Sequence, residues 1–161
     1  MKAYTLTISL LLLMLAGAVH AQRISSHAIG IRLSDGESFE SLDLELSYQK
    51  RVFLTGRVEI DLGYRAPFGL DIAKGVALYE WVFQLNQNIH WYLGGGAGAE
   101  AVFFDPDSCQ VSPLLAGVVG LEYDFNLPFS VSFDLRPEYY PDRSALDDLN
   151  FDLGVSLRYE F

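Results

Sequence analysis

The final twelve residues, Asn150 to Phe161, alternate without exception: Phe151, Leu153, Val155, Leu157, Tyr159 and Phe161 are apolar, while Asp152, Gly154, Ser156, Arg158 and Glu160 are small or charged. Successive side chains of an extended strand point to opposite faces, so such a run makes one greasy and one polar face as a strand and scrambles both as a helix. Any fold for this chain must therefore hide, or use, a sheet with two chemically opposed faces.

The same period recurs from about residue 27 onward, broken by polar, Gly-bearing or Pro-bearing segments. Eight strands are predicted. They are His27–Ser34, Phe39–Gln49, Phe53–Tyr64, Gly75–Leu85, Ile89–Phe103, Leu114–Phe125, Phe129–Tyr139 and Asn150–Phe161. Pro137 suits a strand end. The connections Gln49–Val52, Asn86–Asn88 and Asn126–Pro128 are tight; Arg65–Lys74, Asp105–Ser112 and Tyr140–Leu149 are long. Only the first hairpin, around Asp35-Gly36-Glu37, departs from this short and long alternation.

Ahead of the strands, Lys2, the apolar run Leu6–Leu15 and the small residues ending at Val19-His20-Ala21 read as a secretory signal, residues 1–21. The exported domain is expected over 22–161, beginning near Gln22. The apolar run is too short for a membrane-spanning helix, and no later stretch reaches the ~18 apolar residues that one needs. Cys109 is the single cysteine, which rules out an internal disulfide and a lipid anchor on a cysteine after the cleavage site.

Composition then poses a conflict. The chain has a formal net charge of −10, which becomes −11 once Lys2 is removed with the signal. That acidity argues against nucleic acid as a partner. Yet half of the residues are hydrophobic and the mean hydropathy is +0.18. Volume decides where the apolar face points. The interior of an eight-stranded barrel is only just wide enough to be filled by side chains, and Tyr79, Trp81, Phe83, Trp91, Tyr123, Phe125, Phe129, Phe133, Phe151, Tyr159 and Phe161 all lie on the apolar face. That face is expected to point outward, to lipid. The Gly, Ser and charged face then lines the interior, and closure removes the sheet edges that hydrocarbon would leave unsatisfied.

The strands of ~9 to 11 residues, the aromatic residues near strand ends (Tyr48, Tyr64, Phe103, Phe125, Phe129, Tyr139 and Tyr159) and the loop asymmetry all fit a transmembrane barrel. An even strand count places both termini on the periplasmic side. On Leu153, Val155, Leu157, Tyr159 and Phe161, the alternating strand with a final aromatic, the mature chain resembles the small outer-membrane β-barrels of the OmpA transmembrane domain and OmpX type. The resemblance implies an all-β, eight-stranded antiparallel up-and-down barrel, export to the cell outer membrane of a Gram-negative bacterium, insertion as a monomer in outer-membrane lipid, and recognition of the last strand by the barrel assembly machinery.

No residue is assigned a catalytic, cofactor-binding or metal-binding role, and the chain is read as non-enzymatic and without a cofactor. The glycine run Gly94–Gly98 lacks the Lys-Ser/Thr and the helix of a phosphate loop and is read as structural. Inward Asp43, Glu45, Glu59, Asp61, Glu80, Glu100, Glu122, Asp124, Asp134, Glu138, Asp152 and Glu160 outnumber inward Arg32, Arg57, Arg65, Arg136 and Arg158. They are read as an ion-pair plug, with a cation path as the rival. His27 and His90 are the histidines available for Ser-His hydrolysis of lipids, and His90 is expected at the periplasmic end, structural or solvent-exposed. Asp105, Asp107, Asp142, Asp147 and Asp148 match no calcium loop, and Cys109 is expected in a loop with no catalytic role. The function expected is a rigid barrel displaying its long loops for structural or binding roles. The alternatives are a lipid-modifying enzyme, a narrow ion channel and a soluble lipocalin-like binder.

Overall fold

A computed structural model describes residues 26–35, 42–66, 71–105, 108–125, 127–142 and 149–161. Residues 1–21, read as the signal, and the start near Gln22 lie outside the described residues. Eight strands follow one another: β1 (His27–Ser34), β2 (Asp43–Arg51), β3 (Gly56–Arg65), β4 (Asp71–Gln84), β5 (Ile89–Asp105), β6 (Ser108–Asp124), β7 (Phe129–Tyr139) and β8 (Leu149–Glu160). Each pairs antiparallel with its chain neighbour, and β8 returns to β1 through pairs from Ala28 with Glu160 to Ser34 with Gly154, closing the sheet. Among the described residues no helix is long and apolar enough to cross a membrane.

The apolar face points outward. Ile31, Leu46, Leu62, Leu121, Phe133, Val155 and Leu157 are each 45–58% exposed, while Arg32, Ser47, Asp61, Asp134, Ser156 and Arg158 alternate with them and are buried. One face of each strand is thus committed to the surroundings and the other to the lumen, and a register slip of one residue would exchange the two.

The wall is not uniform. On the inner side of β4, β5 and β6, Val76, Leu78, Val82, Tyr92, Leu114, Ala116 and Val118 form a buried apolar cluster with Tyr140. Beside it a Cβ on Gly94, Gly96 or Gly98 would collide with the β4 backbone at Tyr79, Ala77 and Gly75. The glycine run is therefore a strand segment in which only the absence of a side chain lets the two backbones approach this closely.

Several boundaries differ from the expected ones. Strand β2 starts at Asp43, so the first connection spans 35–42 and joins the long class. Strand β4 starts at Asp71, shortening its loop to 66–70. The expected long loop Asp105–Ser112 is instead the end of a 17-residue β5 running into a 17-residue β6, separated by residues 106 and 107 only, with a register shift between Phe103 and Asp105. Cys109 accordingly sits exposed in β6 opposite Phe103, not in a loop. This hairpin continues beyond the pairing of β6 with β7, which stops at Leu115 and Tyr139. There β5 stays paired with β4 as far as Asp71 and Phe103, but Ser108–Val111 of β6 are exposed on both faces and give no period-two signal, which is why the sequence reads there as loop. Pro137 lies two residues inside β7; it pairs with Phe151 of β8, and the ladder to β6 skips Arg136 and Pro137, where the N–H of proline is missing.

Candidate functional site: the charged lumen

Because the strands are tilted and closed, inward side chains from strands far apart in sequence meet. Arg32 of β1 donates from Nη1 to Glu45 (3.0 Å) and Asp152 (2.9 Å) and from Nη2 to Asp134 (2.7 Å). Arg136 of β7 reaches Asp61 of β3 and lies 3.5 Å from Glu45 and Glu59. Arg158 of β8 donates to Glu59 (2.9 Å), Ser47 (3.0 Å) and Ser132 (2.7 Å). Gln49 completes the set with a bond to Glu59. These three guanidinium groups are 0–1% exposed and cross the lumen at mid-height. A planar fork of five donors is the side chain suited to join several carboxylates at once.

Toward the end where β1 begins and β8 finishes, the terminal end of the barrel, Arg57 donates to Glu80 (2.6 Å) and Glu122 (2.8 Å) and lies 4.7 Å over the Tyr92 ring. Toward the opposite, loop end, Arg65 bridges Asp43 (2.8 Å) and Glu100 (3.0 Å), and Lys74 pairs with Glu138 (2.6 Å). Tyr140 opens the last long loop, as expected, yet is 1% exposed and donates its hydroxyl to Glu138 (3.0 Å). Charge therefore fills the lumen from end to end in a medium where an unpaired ion would be costly.

The structure places all twelve predicted inward carboxylates and all five predicted arginines on the inner face, with Asp124, Glu160 and Arg65 half-buried near the two ends. Lys74 is a sixth inward cation that the sequence reading missed, because β4 was started one residue after it. The inner apolar cluster was also missed. Its strands carry apolar residues on both faces there, so period two shows nothing.

The two histidines lie at the terminal end in different settings. His27 stacks on Phe161 (5.6 Å between centroids) and its Nδ1 lies 2.8 Å from the Tyr48 hydroxyl. His90 is not solvent-exposed: it is 2% exposed and faces the lumen, paired in register with Glu122, its Nδ1 3.2 Å from Asp124. Neither ring nitrogen of His90 has a hydrogen-bond partner, so no serine hydroxyl is bonded to it. Of the acidic loop residues, Asp105 ends β5 and Asp142 lies in a turn; Asp107, Asp147 and Asp148 lie outside the described residues.

Aromatic residues ring the outer surface at both ends. Trp81 packs edge-on against Tyr79 (4.9 Å), Trp91 stacks on Phe83 (4.5 Å), and Phe129 meets Tyr159 (5.3 Å) at the terminal end. At the loop end Tyr64 donates to Asp71 (2.6 Å), with Phe103 and Tyr139 also facing out. Amphipathic rings favour the two lipid headgroup zones.

No protein-family model and no curated protein matches the sequence. Solved structures do match. The N-terminal β-barrel domain of Pseudomonas aeruginosa OprF superposes with a TM-score of 0.69 at 14% identity, covering 87% of this chain and all of that domain. Neisserial surface protein A gives 0.60 at 16% identity, covering 84% of this chain and 94% of its own. Ail, the attachment invasion locus protein of Yersinia pestis, gives 0.55 at 21% identity, covering 85% and 97%. Closed order, strand number, outward apolar face and these likenesses agree: the chain has the fold of the small eight-stranded outer-membrane β-barrels.

Proposed function

We propose that this chain is a non-enzymatic protein of a bacterial outer membrane, inserted as a monomer with both termini in the periplasm. Its lumen is a plug and its working surface is the loop end. The observation that carries this reading is the pairing of a lipid-compatible outer face with a lumen crossed by Arg32, Arg57, Arg136 and Arg158, each bonded to carboxylates on other strands. A lumen bonded across in this way suits a closed plug, and its rigidity suits the display of connections 35–42, 66–70 and 140–148 together with the β5–β6 hairpin. The last strand, with Leu157, Tyr159 and Phe161 facing out at the terminal end, suits recognition by the barrel assembly machinery.

Expression with the leader intact in a Gram-negative host, membrane fractionation and planar-bilayer recording test this reading. Recovery in the outer-membrane fraction with silent bilayers supports it. A chain that stays in the soluble periplasmic fraction would overturn the location. Stepwise conductance altered by Glu45→Gln or Glu80→Gln would replace the plug with the ion-channel reading, for which the excess of inward carboxylates over cations is the favouring observation.

A further inference from the structure

At the terminal end of the lumen one cluster is only partly satisfied by the ion-pair network, which reaches it through Arg57 and Glu122. The β5–β6 register sets His90 directly opposite Glu122, and Asp124 follows two residues later on the same face. Ligand atoms of the three lie within 4.8 Å of one another. His90 is 2% exposed, yet both of its ring nitrogens lack a hydrogen-bond partner, as does Oδ1 of Asp124. Burying an imidazole without hydrogen bonds is unfavourable, so the arrangement favours a further partner.

We propose that His90, Glu122 and Asp124 bind a single divalent transition-metal ion of the Zn²⁺ class. Charge supports a cation. Glu122, Asp124 and Glu160 line the recess against Arg51 and Arg57, which leaves an excess of one negative charge. Size supports a single ion. The recess leaves about 10 Å³ for the centre of a water-sized sphere, room for about one such particle. The donor set selects the metal class: one imidazole nitrogen and two carboxylates suit Zn²⁺ and its first-row neighbours, whereas Ca²⁺ and Mg²⁺ prefer oxygen alone. Both Glu122 oxygens accept from Arg57 Nη1 at 2.8 Å. A carboxylate keeps further lone pairs, so Arg57 orients this ligand as an outer partner, and small side-chain adjustments bring the three donors to bonds of ~2.0–2.2 Å.

The test uses the full exported chain refolded in detergent, stripped with a chelator, then titrated with Co²⁺ followed by visible absorption and with Zn²⁺ followed by calorimetry. Saturable binding of one ion per chain is expected. His90→Gln, and separately Asp124→Asn at the half-buried rim, are each expected to weaken it by at least about tenfold. His27→Gln, at the same end of the barrel, is expected to leave it unchanged. Heat-modified gel mobility verifies that each variant is folded, and Asp124→Asn decides the matter if His90→Gln does not fold. Absence of saturable binding by the unaltered chain, or equal affinity in the folded His90→Gln and Asp124→Asn variants, would overturn the site.

Discussion

Arg32 shows what a single residue does in this lumen. Its guanidinium satisfies Glu45, Asp134 and Asp152 together, so Arg32→Met removes the short contacts of three buried carboxylates and leaves them only longer ones to Arg136, Lys74 and the Tyr92 hydroxyl. Breaking a buried pair from one side costs about 3–5 kcal/mol, and urea unfolding in lipid vesicles should register a loss of at least that order. Gly154 makes the room that this arginine occupies: a Cβ there would sit within the guanidinium, whereas a Cβ on Gly95 meets its nearest atom, the Ala116 carbonyl, at 3.4 Å. Gly154→Ala is therefore expected to cost about 1–3 kcal/mol, with Gly95→Ala near neutral in the same assay. Equal losses in the two variants would remove the steric account of Gly154.

At the scale of elements, legibility followed the chemistry of each strand's two faces. Strands β1, β7 and β8 separate apolar from polar cleanly and their predicted bounds lie within one residue of those found. Where both faces are apolar, as around Val76, Leu78 and Leu114, the period is silent and the inner cluster went unread. The pairing of His90 with Glu122 was hidden for another reason. It depends on the register of the β5–β6 hairpin, which is fixed by a two-residue connection and a shift at Phe103 to Asp105 that leave no mark in the sequence. The outward face of β2 offers a direct test. Leu46, 52% exposed and near mid-strand, should face hydrocarbon, so Leu46→Arg is expected to destabilise the barrel by about 2–4 kcal/mol in lipid vesicles. A change within about 0.5 kcal/mol, the usual range for a water-exposed surface site, would place that face in water.

For the whole molecule, the conflict between a strongly acidic composition and a hydrophobic one resolves as a barrel turned inside out relative to a soluble protein. Charge is gathered into the lumen and apolar bulk is spread over the outer wall. The two tryptophans of the chain, Trp81 and Trp91, lie on that wall, Trp81 46% exposed and Trp91 stacked on Phe83. They report on its surroundings without any substitution. The most direct measurement is quenching of their fluorescence in the refolded chain, in vesicles of lipids brominated on the acyl chains, with aqueous iodide as the counterpart. Strong quenching by the brominated lipids and weak quenching by iodide is the predicted result; tryptophans reached by iodide and untouched by brominated lipids would contradict the outward, lipid-facing assignment on which the account rests.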